Sequence, residues 1–163
     1  MPKKKFRFSH SLWGGLVLLV AEWLLVRFVL ATTAGEVLVC AAAALGSIGV
    51  LYIAAEIIEE VRSSRHMLAL LFALVAEFVV FFAFQYAFLL GVSPKSFPAL
   101  DGSALTLALH SVMVFVFNPI YLPATAAGQA LLFINTLAAL ALVLFVLQNV
   151  WQFRTKANAI LKQ

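Results

Sequence analysis

Read along its length, the chain alternates long apolar windows with short polar breaks. Four windows, at about 11–32, 36–58, 67–91 and 126–152, each hold roughly the 20 apolar residues that a helix needs to cross a hydrocarbon layer about 30 Å thick. The breaks predict connections: Thr32-Thr33-Ala34-Gly35 a tight external turn, and Glu59 to His66 an internal one, so that the first three helices are antiparallel neighbours. The predicted fold is all-α, with four transmembrane helices.

The segment between the third and fourth windows departs from this rhythm. Gly91 to Gly102 carries the Pro, Gly and Ser content of a loop. A second apolar run then extends from Ser103 to Phe117 and stops at Asn118-Pro119, too short to cross as a helix, which predicts a re-entrant or interfacial piece. Pro119 and Pro123 forbid regular helix beyond it, so the chain must leave helix near Phe117 and travel as irregular backbone to about Thr125. Irregular backbone at membrane depth is tolerated only when buried in protein or facing water. The order outer helix, short descending helix, extended return, inner helix is the arrangement that builds a pore loop. It divides the chain into two N-terminal helices, 1–66, and a pore-loop-like unit, 67–163.

Composition agrees with a membrane protein: 64% of residues are hydrophobic and only 11% charged, and the mean hydropathy is +1.07. The net charge of +4 does not point to nucleic acid, because the basic residues lie in short clusters beside apolar segments and form no face large enough to track a phosphate backbone. Their distribution sets orientation instead. Lys3, Lys4, Lys5, Arg7, Arg62, Arg65, Arg154, Lys156 and Lys162 share one side if both termini are cytoplasmic, against Lys95 alone on the other. Trp13 and Trp151 fall near that cytoplasmic interface. The expected location is therefore a plasma (inner) membrane, crossed several times. The basic N-terminus followed by an apolar stretch is expected to be a retained helix, since that stretch exceeds the 7–15 residues of a signal-peptide core.

Beyond Glu36, which opens the second window, four charged residues fall inside the apolar windows: Glu22, Arg27, Glu56 and Glu77. Each costs about 2.5–3.5 kcal/mol on insertion scales and so needs a partner or a use. Glu22 and Arg27 are roughly 140° apart around one helix, so interhelical partners are expected, Glu36 among them for Arg27. The two roles open to these groups are ion pairs or protonated carboxyls within the bundle, and a proton or cation path through Glu22 or Glu77. His110, on the short helix, is open to pH sensing or pore lining and to a packing hydrogen bond. Asn118 at the tip either presents its amide or caps the turn; Asn135 and Gln129 either face an axis or bond between helices. Ala42, Gly46 and Gly49, with Ala43 and Ser47, form a small-residue stripe suited to close helix packing. Cys40 reads as a small buried hydrophobe. No metal ligand set, phosphate loop or catalytic constellation is present, so neither a cofactor nor enzyme activity is expected.

Pro123-Ala124-Thr125-Ala126-Ala127-Gly128 resembles the Pro-x-Thr-x-x-Gly segment that opens the inner helix in the tetrameric potassium-channel pore domain, with Leu105 to Met113 in the place of the pore helix. The resemblance covers about 67–152. It implies a pore helix carrying His110, a homotetramer around a central axis, and a filter at Phe115-Val116-Phe117-Asn118-Pro119-Ile120, counted back from Pro123 onto the family's TVGYGD. Only the valine matches. Phe117 and Pro119 occupy the two glycine positions, where backbone freedom turns carbonyls toward the ion. Proline's fixed φ excludes the familiar filter geometry, so the resemblance implies the architecture without potassium selectivity. Arg27 stands alone, so no voltage sensor built on spaced arginines is expected. Three functions stay open: a small channel-like protein with a passive or regulatory pore, a non-conducting scaffold or accessory subunit of a larger membrane complex, and a proton-coupled carrier using Glu22 and Glu77.

Overall fold

The computed structural model describes residues 33–60 and 64–160, together with the isolated positions Val20 and Leu24. All regular structure among the described residues is helical: α1 (Thr33–Glu60), α2 (Ser64–Val92), a 3₁₀ turn (Pro94–Ser96), α3 (Ala104–Phe115) and α4 (Ala126–Ile160). Three of these contain stretches long and apolar enough to cross a membrane: Thr33–Tyr52, Leu71–Val92 and Ala126–Gln148. The chain is thus a multi-pass membrane protein in its composition and element lengths. The expected first span, 11–32, lies outside the described residues except for Val20 and Leu24, both helical and exposed.

Among the described residues, most of those expected to form the breaks are helical. Thr33, Ala34 and Gly35 form the first turn of α1 rather than a turn between helices. Gly35 lets this end approach α2, where an added Cβ would stand 2.8 Å from Val92 Cγ1. At the other end, helix runs through Glu60 and resumes at Ser64, because Glu and Arg are good helix formers and polarity alone does not end a helix. For the same reason α4 runs on past 152 to Ile160.

Contacts fix how the helices run. Gly35 meets Val92 and Gly46 meets the Phe81 ring, pairings that advance in opposite directions, so α1 and α2 form an antiparallel hairpin. The small-residue stripe is split by this packing. Ala43 and Ser47 are buried, with Ser47 Oγ donating to the Ala43 carbonyl at 2.6 Å; a Cβ on Gly46 would overlap Phe81, whereas one on Gly49 would meet nothing within 4 Å. Cys40 Sγ approaches the Ala127 carbonyl at 3.7 Å, so the starts of α1 and α4 lie together beside the end of α2. The core is aromatic, with Phe78 against Phe82 at 4.8 Å and Phe81 against Phe82 at 5.2 Å between centroids.

Helix α3 lies along α2 in the opposite sense. Its middle residue His110 stacks on Tyr86, 4.6 Å between centroids, and its last residue Phe115 meets Phe78 edge-on at 5.6 Å. Phe78 is about 21 Å along the axis from the end of α2 at Val92, so the ring at the C-terminal end of α3 meets α2 well inside the apolar stretch Leu71–Val92. One face of α3 is buried, through Leu107, His110, Ser111 and Val114.

Candidate functional site

The described residues converge on the excursion between α2 and α4. It opens at Asp101, whose Oδ1 accepts the Ser103 N–H at 2.9 Å. Ser103 is the N-cap of α3: its Oγ accepts from the Thr106 N–H at 3.3 Å and donates to Thr106 Oγ1 at 2.8 Å, satisfying amides that the first turn leaves without helical partners. The Ser103 N–H stabilises the ionised Asp101 carboxylate, with help from the Thr106 and Ser103 side chains, and holds it below the usual carboxylate range.

The far end of α3 closes on a Schellman motif. The Asn118 N–H reaches back to the Met113 carbonyl at 2.8 Å and the Phe117 N–H to Val114 at 2.9 Å, the paired bonds that need a left-handed residue at the position after the cap. That residue is Phe117, at φ 61°, the one non-glycine with positive φ among the described residues. Glycine normally fills this place because it has no Cβ to crowd the carbonyl. Asn118 therefore caps through its backbone, and its side chain is exposed.

From Phe117 to Thr125 the chain is irregular, as two prolines require. It comes back to where it left. The Ala124 N–H donates to the Ser96 carbonyl at 2.8 Å, and Ser96 Oγ and Thr125 Oγ1 are 2.9 Å apart although 29 residues separate them. Thr125 is also the N-cap of α4, accepting the Gly128 N–H at 3.1 Å. A Cβ on Gly128 would stand 2.9 Å from both Pro123 Cβ and the Ser96 carbonyl oxygen. Pro123, Thr125 and Gly128 thus have separate physical tasks: the proline fixes the return, the threonine caps, and the glycine leaves room for both. Ser96 meets the return at Ala124 and Thr125 and closes over Gly128, and its place in a mixed loop gave no sign of that in the sequence.

Behind the return lies a buried polar cluster. Asn135 Nδ2 donates to Tyr86 Oη at 3.0 Å, which makes Asn135 an interhelical bond rather than an axis-facing group. His110 is fully buried, ringed by Tyr86, by Phe97 at 5.5 Å and by Tyr121 at 5.4 Å, and neither ring nitrogen has a protein partner. Its protein neighbours meet it by ring contact. Gln129 is exposed at the start of α4.

The residues placed on the filter positions are not drawn into this core. Phe115 is half-buried against Phe78, while Val116 and Phe117 are 55% and 48% exposed, with Ile120 and Leu122 exposed beside them and Pro119 half-buried. Glu77 is half-buried next to Phe78, at the level where α3 ends. Glu22 and Arg27 lie outside the described residues, as does the side chain of Glu56 in α1, so the pairing of Arg27 with Glu36 falls there too. Among the described residues, no group of three His, Cys, Asp or Glu is placed to hold a metal ion.

No protein-family model, curated protein or solved structure matches this chain.

Proposed function

We propose that the chain is a small channel-like membrane protein whose 103–124 segment dips into the bilayer and returns to the same face, with copies of it meeting around an axis. The observation that carries this reading is the hydrogen bond from Ala124 to Ser96. It ties exit to entry, while the helix between them descends to the level of Phe78. A helix of 12 residues covers about 18 Å, enough to reach the middle of a bilayer and not enough to cross it.

Two further features support the pore-loop reading. The left-handed residue Phe117 falls on the first glycine position of the family's filter motif, and the Pro-x-Thr-x-x-Gly residues converge at the start of α4. The filter itself is of another kind. Pro119 cannot reproduce a carbonyl-lined potassium site, and the exposed Val116, Phe117, Ile120 and Leu122 make an apolar constriction that would gate by dewetting. Transport would be passive, through a homotetramer by analogy, in a plasma membrane with both termini cytoplasmic. Purified protein in liposomes tests this directly: ion flux above protein-free vesicles is expected, and sealed vesicles across a range of pH and voltage would end the conduction reading.

The same apolar tip favours a second reading, a non-conducting scaffold or accessory subunit that kept the architecture and docks its exposed apolar surfaces in a larger membrane complex. Mild detergent extraction separates the two, since a lone homotetramer supports the channel and stoichiometric foreign subunits support the scaffold.

A further inference from the structure

We infer that Tyr86, His110 and Asn135 form an internal site that holds ordered water, joining α2, α3 and α4 behind the return segment. All three side chains are fully buried, and they are contiguous: the Tyr86 ring lies 4.6 Å from the His110 ring and its hydroxyl accepts from Asn135 at 3.0 Å. A census of donors and acceptors shows what is missing. Having accepted from Asn135, Tyr86 still has its O–H proton to place; neutral His110 has one N–H and one lone-pair nitrogen, neither partnered by protein, and Asn135 Oδ1 is likewise without one. Turning the Asn135 amide over moves the deficit to its other atom and leaves the sum unchanged. Ser111 also has an Oγ without a partner, but it sits in a helix, where rotation toward the carbonyl four residues back satisfies it, so it requires nothing.

The nature of the deficit selects the ligand. An anion would want donors only and a cation acceptors only, whereas the cluster presents both in nearly equal number, with no carboxylate or thiolate among its members. Water donates twice and accepts twice, and buried water sits where two to four such polar groups face one another. One molecule bridging His110 to the Tyr86–Asn135 pair, or two in series, extends to α3 the polar bonding that Tyr86 and Asn135 already make between α2 and α4. This site rests on the packing of the helices and not on conduction, so sealed liposomes would leave it standing.

X-ray radiolytic footprinting of the intact protein in detergent reads internal water directly, because hydroxyl radicals form at bound water and modify the side chains beside it. Yields are normalised to those of the same residues in the denatured chain. Tyr86 and His110 are expected to be modified at least about threefold more than Phe78 and Phe82, which are equally buried but have no polar atom to hold water. Asn135→Leu, which removes the bridging amide, should bring His110 down to the level of the phenylalanines. Equal modification of Tyr86, His110 and the two phenylalanines in the unmodified protein would overturn the inference. So would a His110 yield unchanged by Asn135→Leu.

Discussion

The left-handed backbone at Phe117 gives a sharp test of how α3 ends. Its φ of 61° carries the crowding of Cβ against the carbonyl, a cost of about 1–2 kcal/mol for an ordinary L-residue. Replacing Phe117 with glycine relieves that cost but also discards a ring that is about half covered by its neighbours, at 48% exposure, so the single variant mixes two effects. Comparing Phe117→Gly with Phe117→Ala removes the ambiguity, because both lose the ring and only one keeps a Cβ. Glycine regains about 1–2 kcal/mol in the folded state and returns about 0.5–1 kcal/mol through a more flexible unfolded chain. The net expectation is that Phe117→Gly is the more stable by about 0.5–1 kcal/mol, whereas in a right-handed turn alanine would win by a similar amount. Unfolding in mixed micelles, titrated with a denaturing detergent and followed by helix content, measures the difference. Alanine equal to or more stable than glycine would refute the Schellman closure, and with it the alignment of this residue on the pore-loop glycine.

Other expectations follow from particular contacts. Gly128→Ala places a methyl group against Pro123 and the Ser96 carbonyl and should cost about 1–3 kcal/mol, while Gly49→Ala, facing open space, should not destabilise in the same unfolding assay. Thr125→Val removes the cap on α4 and the link to Ser96, with an expected loss of about 1 kcal/mol and faster proteolysis of the 117–124 segment. Tyr86→Phe strands the Asn135 amide in the core, at about 1–3 kcal/mol; the double variant with Asn135→Leu should lose less than the sum of the two, as a double-mutant cycle will show. Because its folded carboxyl is held below the usual range, Asp101 adds stability above its unfolded pKa, which is lost as pH falls through the folded value. Asp101→Asn should therefore flatten the acid limb of stability below about pH 4, and leave it unchanged if the Ser103 bond does not form.

What could be read from the residues alone was whatever a local rule enforces. Apolar runs of spanning length gave three of the long helices, because only a helix satisfies the backbone of a continuous run of about 20 apolar residues within the run itself. Pro119 and Pro123 fixed the end of α3 and the irregular return to Thr125, since a ring that locks φ and removes a donor acts without regard to context. Helix ends without such a stop are not legible in the residues: Thr33 to Gly35 and Glu59 to His66 have the polarity of breaks, yet those of them that are described are helical, because helices tolerate polar residues wherever water reaches them. Tertiary structure alone decided which side chains meet. Ser96 was invisible as the partner of Ala124 and Thr125, and Tyr86 as the partner of Asn135 and the neighbour of His110, because no periodicity within one segment encodes a contact between segments 29 or 49 residues apart. Only packing makes α3 lie along α2 with Phe115 against Phe78, because a short apolar run by itself does not say which helix it will lie on.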